Sequence, residues 1–316
     1  MIVRDRPSAL RLFFIARGSI VPRIAPQIIL AALFAGGIVF LHQRLQQGFP
    51  ALSLVPFSLI GLAFSIFLGF RNSACYDRYW EGRRLWGQLV IDTRSFARQC
   101  LTLVGPRQET MEAGQNTETQ EVTTRMIRMA IAFTHALRHH LRGTQPDNDL
   151  APHLPPAALA EVLKRSNVPD AILELIGRDL RLALQRGWVS DQIAMLLDER
   201  LTSLAAVLAG CERIRNTPLP FAYTLLLHRT AYLYCFLLPF GLVDTIGAMT
   251  PLVVAIVSYT FFGLDALGDE IEEPFGELPN DLPLAAMSRT IEINLRESLG
   301  DTDIPLPLEP IRYCLL

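Results

Sequence analysis

Three neighbouring histidines are the residues whose types and spacing could most readily support catalysis or metal binding. A helix would place His135 and His139, four residues apart, on one face, and His140 follows them directly. Zincin hydrolases combine such a pair with a glutamate general base and a third metal ligand. Neither accompanies this pair in that pattern, so we predict neither an enzyme nor a metal site.

The cysteines and the overall charge argue against other kinds of site. The five cysteines are scattered, odd in number and without a Cys-x-x-Cys pair: Cys75, Cys100, Cys211, Cys235 and Cys314. They predict small buried side chains rather than a disulfide framework or a zinc site. The net charge of −2 argues against a nucleic-acid partner, which would require a basic face. We therefore expect no cofactor and no nucleic acid.

Apolar residues at helical spacing indicate a different function. Within GLAFSIFLGF (61–70), bulky apolar residues recur at every fourth position: Leu62, Ile66 and Phe70. Small residues recur on the adjacent stripe, where they allow another helix to approach closely in lipid: Gly61, Ser65 and Gly69. If several copies of this helix surround an axis, the bulky stripe forms stacked hydrophobic rings, which can gate an ion pore by dewetting. Spacing alone leaves ordinary helix packing as the alternative.

The elements that must position this stripe are apolar helices. The chain has 316 residues, 50% of them hydrophobic, and a positive mean hydropathy of +0.28. This composition fits a few membrane spans together with a sizeable aqueous part. Four apolar stretches stand out as spans: 24–43, 52–70, 218–243 and 250–267. Short connections join them in pairs, so we predict an all-α membrane protein with four transmembrane helices in two hairpins and a cytoplasmic helical domain.

Arginine placement predicts the orientation of the two hairpins. Basic residues cluster before the first span, after the second and before the third: Arg4, Arg6, Arg11, Arg17, Arg23, Arg71, Arg78, Arg83, Arg84, Arg213 and Arg215. The two short connections between paired spans contain a single basic residue, Arg44. By the positive-inside tendency, both termini and the long middle segment are cytoplasmic, as expected for a multi-pass protein of the inner membrane.

These features divide the chain into five segments. They are a cytoplasmic N-terminal segment, a transmembrane hairpin, a cytoplasmic helical domain, a second hairpin and a cytoplasmic C-terminal segment: 1–24, 25–70, 71–216, 217–266 and 267–316. Charged residues follow Phe70 without a turn, so we expect the second span to continue as one helix into the helical domain. Aromatic residues there resemble an interfacial belt: Tyr76, Tyr79, Trp80 and Trp86. A later helix of the domain is predicted to begin at Ser190 or Asp191.

One basic pair lies inside an apolar stretch. His228 and Arg229 fall within the third span, where a charge is costly and usually faces a cavity or a partner. They could line a pore or an ion-access route. Alternatively, Arg229 reaches the membrane interface or pairs with a carboxylate such as Asp265.

Three motifs make the chain resemble a known family. They are FRNSACYDRYWE (70–81), TPLPF (217–221) and EEPFG (272–276), in the same order along the chain. In this combination the sequence resembles the bestrophin family, including its bacterial members, over nearly its whole length.

The resemblance implies a homopentameric ion channel with one axial pore. In that family the second spanning helix lines a narrow hydrophobic neck, whose three ring residues correspond here to Leu62, Ile66 and Phe70. A second constriction, the cytosolic aperture, corresponds in position to Ile193, with Met195 as the alternative if the register differs. The neck residues are the same stripe that helical spacing indicates.

One departure from the family concerns calcium. Animal bestrophins carry a run of aspartates after the Pro-Phe-Gly-Glu segment, and these form a calcium clasp of oxygen ligands. The equivalent segment here is PFGELPND, in which Glu277 and Asp281 are the acidic residues. We therefore expect no calcium activation.

The resemblance favours chloride or other anions as the permeant ions. Uncharged rings of Leu, Ile and Phe do not determine the sign of the ion, and a bacterial member could select cations. A non-conducting membrane scaffold is the alternative, whereas an anchored enzyme lacks a nucleophile–base pair or ligand cluster. We predict a channel for small monovalent ions whose partners are further copies of the chain, the lipid bilayer and the permeant ions.

Overall fold

The structure, a computed structural model, describes residues 1–4, 8, 15, 18–45, 52–105 and 115–316. These residues form ten α-helices and one 3₁₀ turn, and the described part of the chain contains no β-strand. The helices in chain order are α1 (Val21–Leu45), α2 (Leu54–Leu103), α3 (Gln115–Arg142), α4 (Asp147–Leu150), α5 (Pro156–Val162), α6 (Val168–Gln185), α7 (Asp191–Asn216), α8 (Phe221–Ile246), α9 (Thr250–Glu272) and α10 (Leu284–Leu299). Arg6, Arg11, Arg17 and the connection between the first two spans after Leu45 lie outside the described residues.

Among the described residues, three stretches are long and apolar enough to cross a membrane. They are α1, α2 and Phe221–Glu272. The last stretch contains two helices, α8 and α9, joined by the 3₁₀ turn Gly247–Met249. Gly247 has a φ of +51°, a left-handed conformation that glycine adopts without a steric penalty. The all-helical class and the apolar helices expected from the sequence are therefore present.

The chain divides into two compact units. The apolar unit comprises residues 4–80 and 218–274, and the helical unit comprises residues 1–3, 81–217 and 275–316. The boundary between Trp80 and Glu81 falls inside α2, which is a single helix of 50 residues and therefore about 75 Å long. The expectation that the second span continues as one helix after Phe70 is confirmed.

Within the apolar unit, three helices pack against one face of the first part of α2. Helix α9 packs most extensively against α1, and α8 contacts both. Two clusters of buried apolar side chains form the core, and both contain residues from α1, α2, α8 and α9. Rings of neighbouring helices meet edge to face, as Phe64 and Phe261 do with their centroids 4.8 Å apart.

Within the helical unit, α3 lies at the centre. It packs against α6 and α10, and α6 also packs against α7. Trp86, Phe96 and Phe133 are fully buried there. Trp86 is therefore a core residue, and its assignment to an interfacial belt was wrong. By contrast, Tyr76 and Trp80 are exposed and stack on each other, with ring centroids 6.4 Å apart.

Side-chain caps define the starts of two helices in this unit. The Ser190 side chain accepts a hydrogen bond from the Ile193 amide at 3.4 Å and caps α7, which confirms one of the two predicted starts. The Asn167 side chain accepts from the Asp170 amide at 3.2 Å and caps α6. These caps satisfy amides that have no partner within the helix.

Candidate functional site

The bulky stripe of α2 is exposed in the single chain. Leu62, Ile66 and Phe70 have exposed fractions of 62%, 50% and 64%. Large apolar side chains that a chain leaves unpacked contact lipid or another protein surface. Other apolar residues of α2, such as Val55 and Leu59, are equally exposed, so exposure alone does not distinguish the stripe.

The opposite face of α2 holds the helix in the apolar unit. Phe64 and Leu68 are buried, and they pack with side chains of α1, α8 and α9. Residues two apart on an α-helix are separated by about 200° around its axis. Ile66 and Phe70 each lie two residues from Leu68 and therefore point away from this packed face.

Glycines allow α2 and α8 to approach each other closely. A Cβ atom on Gly61 would lie 2.6 Å from the Tyr234 hydroxyl, and one on Gly241 would lie 2.7 Å from the Phe57 ring. Gly69, on the same stripe as Gly61, has no neighbouring atom within 4 Å of such a position. The close helix contact expected from the small residues therefore occurs within the chain at Gly61, and Gly69 takes no part in it.

A buried arginine directly follows the stripe. Arg71 is fully buried, although Phe70 beside it is exposed. Its guanidinium donates to the Asp265 carboxylate at 2.7 Å and to the Asp269 carboxylate at 2.5 Å, and lies 3.7 Å from that of Glu272. The three carboxylates recur at helical spacing on one face of α9. A buried charge is stable only with such partners, so this cluster joins α2 to α9.

His228 also contacts a carboxylate of this cluster. Its Nδ1 atom lies 2.8 Å from the Asp265 carboxylate, while its side chain is half exposed. Asp265 thus contacts both Arg71 and His228. Arg229 is exposed and is not the residue that pairs with Asp265 in the described part of the chain.

The aperture candidates lie near the start of α7, as its third and fifth residues. Ile193 is half-buried, whereas Met195 is 66% exposed. The Ser190 cap fixes the backbone at this helix start, and so determines where both side chains leave the helix.

The two acidic residues of the calcium-clasp segment make local contacts. Glu277 is mostly exposed and accepts a hydrogen bond from Arg142 at 3.4 Å. Asp281 is buried, and its carboxylate accepts the Leu278 amide at 2.7 Å. Neither belongs to a group of three convergent metal-binding side chains within the described ranges.

The three histidines of α3 have separate partners. His139 contacts Asp149 at 2.8 Å, and His140 contacts Glu212 at 2.9 Å. His135 instead meets Glu292 at 3.2 Å in the interior of the helical unit. The pair expected from helical spacing therefore does not form a joint site.

His135 belongs to a buried group of side chains that the sequence motifs did not indicate. It consists of His135, His153 and Glu292, whose ligand atoms lie within 4.8 Å of one another. Burial lowers the pKa of His135, although the Glu292 hydrogen bond opposes this effect. Burial would raise the pKa of Glu292, but hydrogen bonds with both histidines hold it well below its ordinary value. The neutral imidazole and the ionised carboxylate are therefore favoured.

Known proteins resemble this chain along most of its length. The family model described as bacterial/fungal bestrophin protein matches residues 1–297. A Mesorhizobium japonicum protein named voltage-dependent anion channel-forming protein mll4386 is 44% identical over 95% of this chain and 93% of its own length. The Escherichia coli K12 protein named voltage-dependent anion channel-forming protein YneE is 41% identical over 99% of both chains.

Solved structures give the same result. The crystal structure of a mutant of a bacterial bestrophin homologue from Klebsiella pneumoniae is 41% identical, with a TM-score of 0.80. The match covers 88% of this chain and 100% of that one. The resemblance therefore extends from sequence to fold.

Proposed function

The chain belongs to the bacterial and fungal bestrophin family, and we propose that it forms an anion-conducting channel in the inner membrane. The observation that carries the proposal of a channel is the stripe Leu62, Ile66 and Phe70, which is bulky, apolar and directed away from the chain's own packing. The proposed preference for anions is supported by the names of the relatives instead. Relatives that cover most of the chain are named voltage-dependent anion channel-forming proteins.

The proposed assembly is a homopentamer in which five copies of α2 surround one axis. Each stripe residue then contributes to a ring of five identical side chains, and three rings stack along the helix. An ion that passes such rings loses part of its hydration shell, and narrow apolar constrictions can close by dewetting. The Arg71 cluster supports this arrangement because it fixes the rotation of α2 just below Phe70.

The proposed second constriction is formed by Ile193, with Met195 as the alternative. Both lie on a helix start whose backbone is held by the Ser190 cap. The proposed orientation places both termini and the helical unit in the cytoplasm, according to the arginine distribution.

The test is a bilayer recording of the purified protein under a potassium chloride gradient, with the oligomeric state measured by native mass spectrometry. We expect a pentamer whose reversal potential shifts toward the chloride equilibrium potential. A shift toward the potassium equilibrium potential would contradict anion selectivity while retaining the channel. Reproducible silence from a confirmed pentamer would contradict conduction and favour the membrane scaffold.

Calcium should not activate this channel. Glu277 accepts a hydrogen bond from Arg142, and Asp281 accepts one from the Leu278 amide. These two carboxylates supply too few oxygens for the six to eight ligands that calcium takes. Currents recorded in chelator-buffered solution should therefore equal those in micromolar calcium. A steep calcium dependence would show that this segment, or another, forms a working clasp.

A further inference from the structure

We propose that His135, His153 and Glu292 form a binding site for a divalent transition-metal ion, with zinc as the best-fitting ion, inside the helical unit. The site joins three parts of this unit that are distant in sequence. His135 lies on α3, His153 follows α4 and Glu292 lies on α10. The proposal does not depend on ion conduction.

The distances between the donor atoms fit a tetrahedral ion. Glu292 Oε2 lies 3.2 Å from His135 Nε2, and Glu292 Oε1 lies 3.5 Å from His153 Nε2. With zinc–nitrogen and zinc–oxygen bonds of about 2.0–2.1 Å, adjacent ligands of a tetrahedral site are separated by about 3.3 Å. Each distance is close to this value, and the two histidines contact different oxygens of the carboxylate. One donor atom from each residue lies within 4.8 Å of the others, so binding of one ion through a single carboxylate oxygen requires the donor atoms to move together by up to about 1.5 Å.

The donor set determines the class of metal. Two imidazoles and one carboxylate suit zinc and neighbouring first-row ions, whereas calcium and magnesium prefer oxygen ligands. All three residues are more than nine-tenths buried, which protects the site from bulk water.

A fourth ligand can enter from a cavity beside the site. A cavity of about 600 Å³ is lined by His153 together with residues of α3 such as Thr124 and Arg128. Catalytic-type zinc sites combine three protein ligands with one water molecule. Solvent in this cavity could supply that water.

Two nearby arginines, and two histidine Nδ1 atoms that lack a partner among the described residues, limit the zinc affinity that we expect. Arg289 and Arg296 lie 3.6 Å and 3.5 Å from the Glu292 carboxylate, and Arg296 is also paired with Asp301. Coordination through Nε2 leaves a proton on Nδ1 of each ring, and neither Nδ1 atom has a partner among the described residues. Loss of such outer-shell partners weakens metal sites by about 10- to 100-fold. We therefore expect micromolar rather than nanomolar binding.

The test uses the full chain purified in detergent and treated with a chelator. Zinc is titrated in by calorimetry, and bound metal is counted by mass spectrometry after dialysis. We expect one zinc per chain in the wild type and at least a tenfold weaker affinity in His153→Gln and in Glu292→Gln. Cobalt should give the visible absorption of a tetrahedral nitrogen–oxygen site in the wild type, and this signal should be absent from both variants.

His140→Gln is the matched control, because His140 lies on the same helix and pairs with a different glutamate, Glu212. Its zinc affinity should equal that of the wild type. Glu292→Gln preserves the size of the side chain, so it provides a test if His153→Gln fails to fold. The proposal is overturned if the wild type binds no zinc, or if wild type, His153→Gln and Glu292→Gln bind it equally.

Discussion

The two faces of helix α2 differ in the kind of side chain that they expose and the kind that they bury. One face presents bulky apolar side chains that the chain leaves exposed, and the other buries a charged arginine beside Phe64 and Leu68. A water-soluble protein normally does the reverse, because apolar burial stabilises folding and buried charges are costly. The contrast shows that the two faces have different surroundings. The Arg71 face is completed within the chain, whereas the stripe requires lipid or other copies of the chain.

The largest effect should follow from removing the buried charge. Arg71→Ala leaves the carboxylates of Asp265 and Asp269 without their cation, and breaking a buried ion pair from one side costs about 3–5 kcal/mol. We expect a large loss of thermal stability in detergent, measured by loss of the folded peak in size-exclusion chromatography after heating. Arg229→Ala is the matched control and should melt close to the wild type. Equal melting of both variants would show that the cluster does not hold α2.

The second effect compares two residues of α2 that lie two positions apart, on opposite faces of the helix. Leu68 is fully buried, so Leu68→Ala should cost about 2–5 kcal/mol of stability. Ile66 is half exposed, so Ile66→Ala should change stability by about 0.5 kcal/mol or less and act on conduction instead. We expect larger single-channel currents or altered ion selectivity, because the proposed middle ring becomes wider. Unchanged currents and selectivity in Ile66→Ala would remove Ile66 from the pore wall.

The sequence predicts the features of α2 that depend on local periodicity. The stripe follows from four-residue spacing, and the continuation of the helix follows from the absence of a turn after Phe70. The Ser190 cap is likewise recognisable, because a cap involves residues three positions apart. Such features require no knowledge of how distant segments pack.

The partners of buried charges could not be predicted in the same way. The acidic spacing of Asp265, Asp269 and Glu272 marks one face of α9, and the sequence contains several arginines that could meet it. The structure selects Arg71, which is 194 residues from Asp265. Glu292 is likewise 157 residues from His135, and no short motif connects these two residues with His153. Which residues pair depends on tertiary packing, which brings Arg71 to Asp265 and leaves Arg229 exposed.

The smallest effect concerns two small residues of α2, Gly61 and Gly69. It tests whether Gly69 contacts another copy of the chain, as Gly61 contacts α8 within the chain. Gly61→Ala places a methyl group 2.6 Å from the Tyr234 hydroxyl, so we expect a loss of about 1–3 kcal/mol. Tyr234→Phe in the same chain removes that oxygen and should restore part of the loss. Gly69→Ala meets open space, and alanine is favoured over glycine within a helix by about 0.5–1 kcal/mol, so it should stabilise a single chain. Thermal melting of the three variants in detergent measures these differences. If Gly69→Ala instead melts earlier and dissociates the oligomer, another copy packs against Gly69, and the stripe beside it lies at an interface between copies rather than in lipid.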